Sequence, residues 1–199
     1  YATTASVRPV NDRRLLYYHL PSLINPPFEI PANQVKTFYE KSVKFFQAQS
    51  MIALQPHMHL IGKSFKVYMV TEAGDTTNLL YIPDWSFHWQ MDYFLTKVLK
   101  VPKDAQIFGE AFFDNTINNA NNPNNPPEDV HAGESTFDEM MGCHFTLLDY
   151  HEGDENIILD SSFYSSAPGG VSVHVLSLEV FPNPVNDEID ILTTIPAHE

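Results

Sequence analysis

The segment Gln55-Pro56-His57-Met58-His59 stands where an apolar run leads into a candidate strand. In an extended chain residues i and i+2 project to the same side, so His57 and His59 present two imidazoles on one face while Met58 turns to the other and fills core. Two imidazoles so placed make a bidentate clip for Cu, Zn or Fe. An isolated His-x-His also arises from two unrelated histidines at a strand end, and a third ligand decides between the readings. The best candidate source is the polar run Thr136-Phe137-Asp138-Glu139-Met140-Met141. A thioether is a soft donor that favours Cu(I), so a His, His and Met set selects copper, whereas zinc rarely takes Met. In a chain that is 43% hydrophobic a Met is ordinarily a core filler, so composition alone does not make one a ligand.

The elements that must hold these residues read as strands. Fifteen Pro and eight Gly leave little room for long helices, and Val, Ile, Phe and Tyr cluster in short runs. The expected fold is all-β, an antiparallel jelly-roll-like β-sandwich with a short partial β appendage at the C-terminus. Strands are expected at Leu15–His19, Ser50–Leu54, Ser64–Thr71, Asn78–Ile82, Thr96–Val101, Gln106–Phe113, Gly142–Tyr150 and Val171–Val180. Asn33–Phe46, with Val35, Phe38, Tyr39, Val43 and Phe46, fits helix or strand. Trp85, Phe87 and Trp89 alternate as a core stripe on one strand face, with His88 exposed on the other.

Between Asp114 and Pro127 the chain carries seven Asn and three Pro, a composition expected in a surface loop and not in a core. With Asp114, Glu128 and Asp129 that loop offers oxygen donors for Ca²⁺, although not at the spacing of an EF-hand, and a solvated loop is the simpler expectation. Asp160–Gly170 is Ser-rich and ends Ala167-Pro168-Gly169-Gly170, which reads as a linker and sets a domain boundary near residue 156.

Eleven Lys and Arg against 25 Asp and Glu give a net charge of −14, which repels phosphate polymers and anionic membrane and argues against nucleic-acid binding. No apolar run reaches the length of a membrane helix, so a soluble chain without a transmembrane segment is expected. The lone Cys143 has no internal disulfide partner and is expected as a small buried residue. Gly62-Lys63-Ser64 lacks the earlier Gly of a phosphate loop, that position being His57. Tyr1–Val10 carries no signal core, so the chain is expected to be a processed or truncated piece.

Three motifs in order carry a family likeness. His57-Met58-His59-Leu60-Ile61-Gly62-Lys63, Trp85-Ser86-Phe87-His88-Trp89-Gln90 with Tyr93, and Asp138-Glu139-Met140 resemble the C-terminal domain of the copper type II, ascorbate-dependent monooxygenases. That family includes peptidylglycine α-hydroxylating monooxygenase and dopamine β-monooxygenase, and its bacterial branch is the most similar. The resemblance covers about residues 14 to 150. It implies two jelly-roll-like domains, each holding one copper, with His57, His59 and Met140 as the ligands of the oxygen-activating copper. Met141 is the neighbour to be told apart from Met140, and His131 is expected beside the ligands in a supporting role. The activity implied is hydroxylation of a C–H bond of a small substrate by O₂, with ascorbate as the family's source of electrons. Where peptide-amidating members carry Arg, Asn and Tyr to grip a carboxylate, this chain has Gln55, Gly142 and His144, which argues against a peptide ending in glycine as substrate.

Residues 1–31, including Arg13-Arg14-Leu15-Leu16-Tyr17 and the start of Phe28–Asn33, resemble the tail of a preceding copper domain and the connection from it. Residues 32–155 are then the C-terminal monooxygenase domain, 156–172 a linker, and 173–199 a truncated sorting domain. Leu178–Ile191, with Pro182-Asn183-Pro184, is similar to the start of the C-terminal sorting domain of the Bacteroidota type IX secretion system, which implies a secreted or cell-surface protein. The expected partners are a small-molecule substrate with O₂, the preceding copper domain and the secretion machinery. His19, His88, His144, His151, His174 and His198 form no cluster matching a three-His electron-transfer copper. The alternative is a non-catalytic extracellular copper-binding or surface-interaction module, with a zinc or iron site a weaker third.

Overall fold

The computed structural model describes Tyr17–Tyr18, Leu23 and residues 28–159. The expected strand Val171–Val180, the linker from Asp160, the sorting segment and most of the 1–31 tail lie outside the described residues. The described chain is an antiparallel β-sandwich. Ten strands run in the order β1 (Tyr17–Tyr18), β2 (Glu29–Ile30), β3 (Val35–Lys41), β4 (Gln49–His57), β5 (Gly62–Val70), β6 (Thr76–Ile82), β7 (Tyr93–Val101), β8 (Gln106–Asp114), β9 (Val130–His131) and β10 (Gly142–Asp149). One four-stranded sheet has the order β1-β10-β4-β7, the other β3-β8-β5-β6, and β2 and β9 form a short ribbon. From β3 to β8 the chain changes four-stranded sheet four times, between β3 and β4, β4 and β5, β6 and β7, and β7 and β8.

Period-two alternation builds the two inner faces. β5 turns Phe65, Val67 and Met69 inward, β8 turns Ile107, Ala111 and Phe113, and β10 turns Cys143, Phe145 and Leu147. Burial of these side chains drives the sheets together, each of the Phe, Val, Ile, Leu and Met residues contributing about 1.5–3 kcal/mol. Gly109 interrupts the inner row of β8 where side chains from two other segments close in. A Cβ there would sit 2.5 Å from Leu23 Cδ1 and 3.3 Å from Met141 Cε, so any larger residue has to displace the Leu23 side chain.

Within Asn33–Phe46, open between helix and strand, Val35–Lys41 is the edge strand β3, paired with β8 from Val35↔Asp114 to Lys41↔Phe108. The Trp85–Trp89 alternation is not a strand: these residues form the loop between β6 and β7. Trp85 is buried, whereas Trp89 is 46% exposed, so the stripe does not exist as one face. The Asn-rich segment also departs from expectation, because Asn115 and Asn119 are buried. Asn115 Nδ2 donates to the carbonyls of Ile30 (2.8 Å), Pro31 (3.2 Å) and Glu128 (2.8 Å), and Asn119 Nδ2 donates to Asp114 O at 2.7 Å. Amide side chains can enter a core once their donors are matched, and here they tie the loop to the β2–β3 connection. Past a 3-10 turn at Asp154–Asn156 the chain runs on along β7, with Val98 N donating to Ile157 O and Leu159 N to Thr96 O.

β4 is the strand that positions the histidines. β10 pairs with it as far as Gly142↔His57, but β7 stops at Tyr93↔Leu54. Pro56 therefore lies where no β7 residue needs its missing N–H, which is how a proline fits an otherwise central strand. The same early ending of β7 leaves the His57 end of β4 to the β6–β7 loop, from which Gln90 meets its ring.

Candidate metal centre

His57 ends β4 and His59 follows two residues later; their rings are T-shaped, with centroids 5.1 Å apart. Two imidazoles sharing one tetrahedral ion through nitrogens at about 2.0 Å have ring centres about 5 Å apart, so the spacing fits a shared cation. Met58, between them, is fully buried and packs over Gly62, as strand alternation expects.

Hydrogen bonds fix which ring nitrogens are left for a ligand. Gln90 Nε2 donates to Phe87 O at 2.7 Å, so its Oε1 is the atom turned to His57 Nδ1. An amide oxygen only accepts, and His57 must therefore carry its proton on Nδ1. His59 Nδ1 lies 3.0 Å from the carbonyl of Asp138, another pure acceptor, and His59 carries its proton on Nδ1 too. In the neutral rings both Nε2 atoms then keep their lone pairs, as metal ligation requires. Burial holds the His57 pKa below its ordinary value, opposed by the Gln90 bond and assisted by the neighbouring His59, and this favours the neutral ring.

The β6–β7 loop supplies more of the frame. Trp85 Nε1 donates to His59 O at 3.1 Å, and the Phe87 ring meets the His59 ring edge-on at 5.9 Å. Gln90 and Phe87 thus support the imidazoles. Gln90 stands in one of the three sequence motifs, but nothing in the sequence assigns it this role, and Phe87 reads there as core stripe.

The third candidate ligand stands on the entry to β10. Gly142 is the register partner of His57, and Met140 lies two residues before it. Met141 is fully buried, with its methyl group next to Gly109 of the opposite sheet. Alternation puts Met140, which is half-buried, on the side of Gly142 and His57, away from the core. Among the described residues no three His, Cys, Asp or Glu side chains gather as a metal cluster.

Glu139 fixes this corner. It is buried; its Oε2 accepts the amides of His59 at 2.7 Å and Met140 at 3.0 Å, and its Oε1 accepts that of Ile61 at 2.9 Å. Burial pushes its carboxyl up to about 7, against the pull of amide bonds from His59, Met140, Ile61 and Gly62.

Gln55 and His144 are register partners two pairs inward from His57 and Gly142, on the same face and half-buried. The ring of His131 is exposed on β9, and its contribution is a backbone carbonyl that accepts Glu139 N at 3.0 Å. His88 is exposed in the β6–β7 loop. Cys143 is buried in the core, and burial raises its pKa, so at neutral pH it is a thiol and a poor ligand. A Cβ added to Gly142 would meet Leu23 O at 3.7 Å and His57 Cβ at 3.9 Å, ordinary contacts that leave room beside the clip.

No family model matches the chain, and no curated protein matches it. A solved structure of infectious bursal disease virus, Gt strain, is similar at 8% identity over 69% of this chain, with a TM-score of 0.27. The matched part spans 40% of that viral chain, and a likeness this slight carries no argument about function.

Proposed function

We propose that His57, His59 and Met140 hold one copper ion, and that the domain is the oxygen-activating part of a copper monooxygenase acting on a small substrate. The observation that supports this most is the pair of Nδ1 hydrogen bonds to Gln90 and Asp138, which leave both Nε2 lone pairs available at a spacing suited to one ion. A half-buried thioether at the same corner biases the site toward Cu(I) over zinc.

When bound, copper supplies the redox chemistry that activates O₂ for C–H hydroxylation, with electrons from an ascorbate-type reductant. The chain's own residues do the positioning. Gln90 and the Asp138 carbonyl hold the imidazole protons on Nδ1, and Phe87 and Trp85 close the inner side of His59. Gln55 and His144 stand as register partners on the face that carries His57, and neither is the Arg with which peptide-amidating members grip a carboxylate. The proposal takes the protein to be exported, on the likeness of Leu178–Ile191 to a sorting domain.

Copper titration of the reduced protein with X-ray absorption tests the reading. One copper per chain with two imidazole nitrogens and one sulfur is the expected result. A site that binds zinc in preference, or a copper shell without sulfur, overturns it. Copper bound as expected but with no ascorbate-dependent O₂ consumption by the full-length protein favours the non-catalytic binding module.

A further inference from the structure

We infer that Glu139 is the positioning residue that sets Met140 against the His57 and His59 clip, acting through backbone amides and without touching the ion. The inference rests on the copper reading above and adds a residue to it.

The main chain of Glu139 is anchored from both directions. Its N–H donates to His131 O at 3.0 Å, its carbonyl accepts Gly133 N at 3.0 Å, and Ala132 bridges it in parallel. The Asp138 side chain lies directly over Gly133, where a Cβ would fall 2.3 Å from Asp138 Oδ2. From that fixed base the side chain crosses to the turn joining β4 and β5 and accepts the amides of His59 and Ile61. The oxygen that takes the His59 amide also takes the Met140 amide, at 2.7 and 3.0 Å. The backbones of one imidazole ligand and of the thioether ligand therefore hang from a single atom.

The β4–β10 ladder alone does not provide this. Its last pair is Gly142↔His57, and both His59 and Met140 lie beyond it. An amide side chain cannot replace the carboxylate, because one end of it donates. With its oxygen toward His59 and Met140, the side-chain nitrogen of a Glu139→Gln variant would face the Ile61 N–H, and the reverse placement opposes two N–H groups. A buried polar group left facing a like group forces the turn, the Met140 segment or both to move.

The test compares Cu(I) affinity and the sulfur shell in wild type, Glu139→Gln and Ser50→Ala. Ser50 hydrogen-bonds Asp154 at 2.6 Å toward the other end of β4, so its loss weakens the fold away from the clip. Glu139→Gln is expected to lower Cu(I) affinity by about tenfold or more and to lose or lengthen the copper–sulfur contact, as loss of an outer-shell partner does. Ser50→Ala is expected to keep the wild-type affinity and shell. Wild-type values for Glu139→Gln overturn the inference, as does an equal loss in Ser50→Ala. A wild-type copper shell lacking sulfur sinks the copper reading instead. A measurement on wild type alone covers a variant that fails to fold: amide exchange of His59, Ile61 and Met140 is expected to be slowed by at least about tenfold. Unprotected amides there overturn the inference.

Discussion

Replacing Gln90 with Leu tests the logic of the site without altering a candidate ligand. The change keeps the side-chain size, removes the acceptor for His57 Nδ1–H and removes the bond from Gln90 Nε2 to Phe87 O at 2.7 Å. His57 is then free to rotate and to place its proton on either nitrogen, so the lone pair on Nε2 is no longer guaranteed. Losing the partner of a ligating imidazole costs about 10–100-fold in metal affinity. That is about 1.4–2.7 kcal/mol. His59 keeps its bond to the Asp138 carbonyl, so the loss should stay within that range and binding should not vanish. Competition for Cu(I) against a chromophoric chelator reads the affinity, and ¹⁵N shifts of the metal-free protein read the tautomer. Wild-type affinity in folded Gln90→Leu, or a wild-type His57 protonated on Nε2, refutes the reasoning.

The two adjacent methionines should separate cleanly. Met141→Ala, in the core, is expected to lower stability by about 2–5 kcal/mol in urea unfolding and to leave the copper shell intact. Met140→Ala should instead remove sulfur from the X-ray absorption spectrum at small cost in stability. The Cys143 thiol, buried and raised in pKa, should resist iodoacetamide at pH 8 in the native protein and react on unfolding; ready native labelling would contradict its placement. Asn115→Ala breaks the bonds to Ile30, Pro31 and Glu128 and should destabilise by about 2–3 kcal/mol, whereas exposed Asn118→Ala should change stability by under about 0.5 kcal/mol, both read by urea unfolding.

Period-two patterning makes the sandwich readable, because β5, β8 and β10 each bury alternate residues. It also sets Met58 apart from the histidines flanking it. β3 is ambiguous for a physical reason: it is an edge strand with Val35 and Tyr39 exposed and Phe38 turned toward the core, so apolar residues lie on both faces. Trp85, Phe87 and Trp89 mimic a strand by spacing, yet Trp89 N donates to Ser86 O and bends the segment into a loop. That bend is what brings Gln90 to His57, and no local pattern announces it. Glu139 and Asn115 are illegible for a related reason. Each is polar by type, and each is buried because donors or acceptors distant in sequence converge on it.

Position 142, the register partner of His57 on β10, offers a handle for redesign. Because position 142 has ordinary clearance on both sides, a small polar residue such as Ser or Asn introduced there is expected to be accommodated by the strand. Its side chain would border the approach to the imidazoles from the neighbouring strand, so selectivity for an incoming molecule could be tuned at a residue that contributes neither a ligand nor core volume.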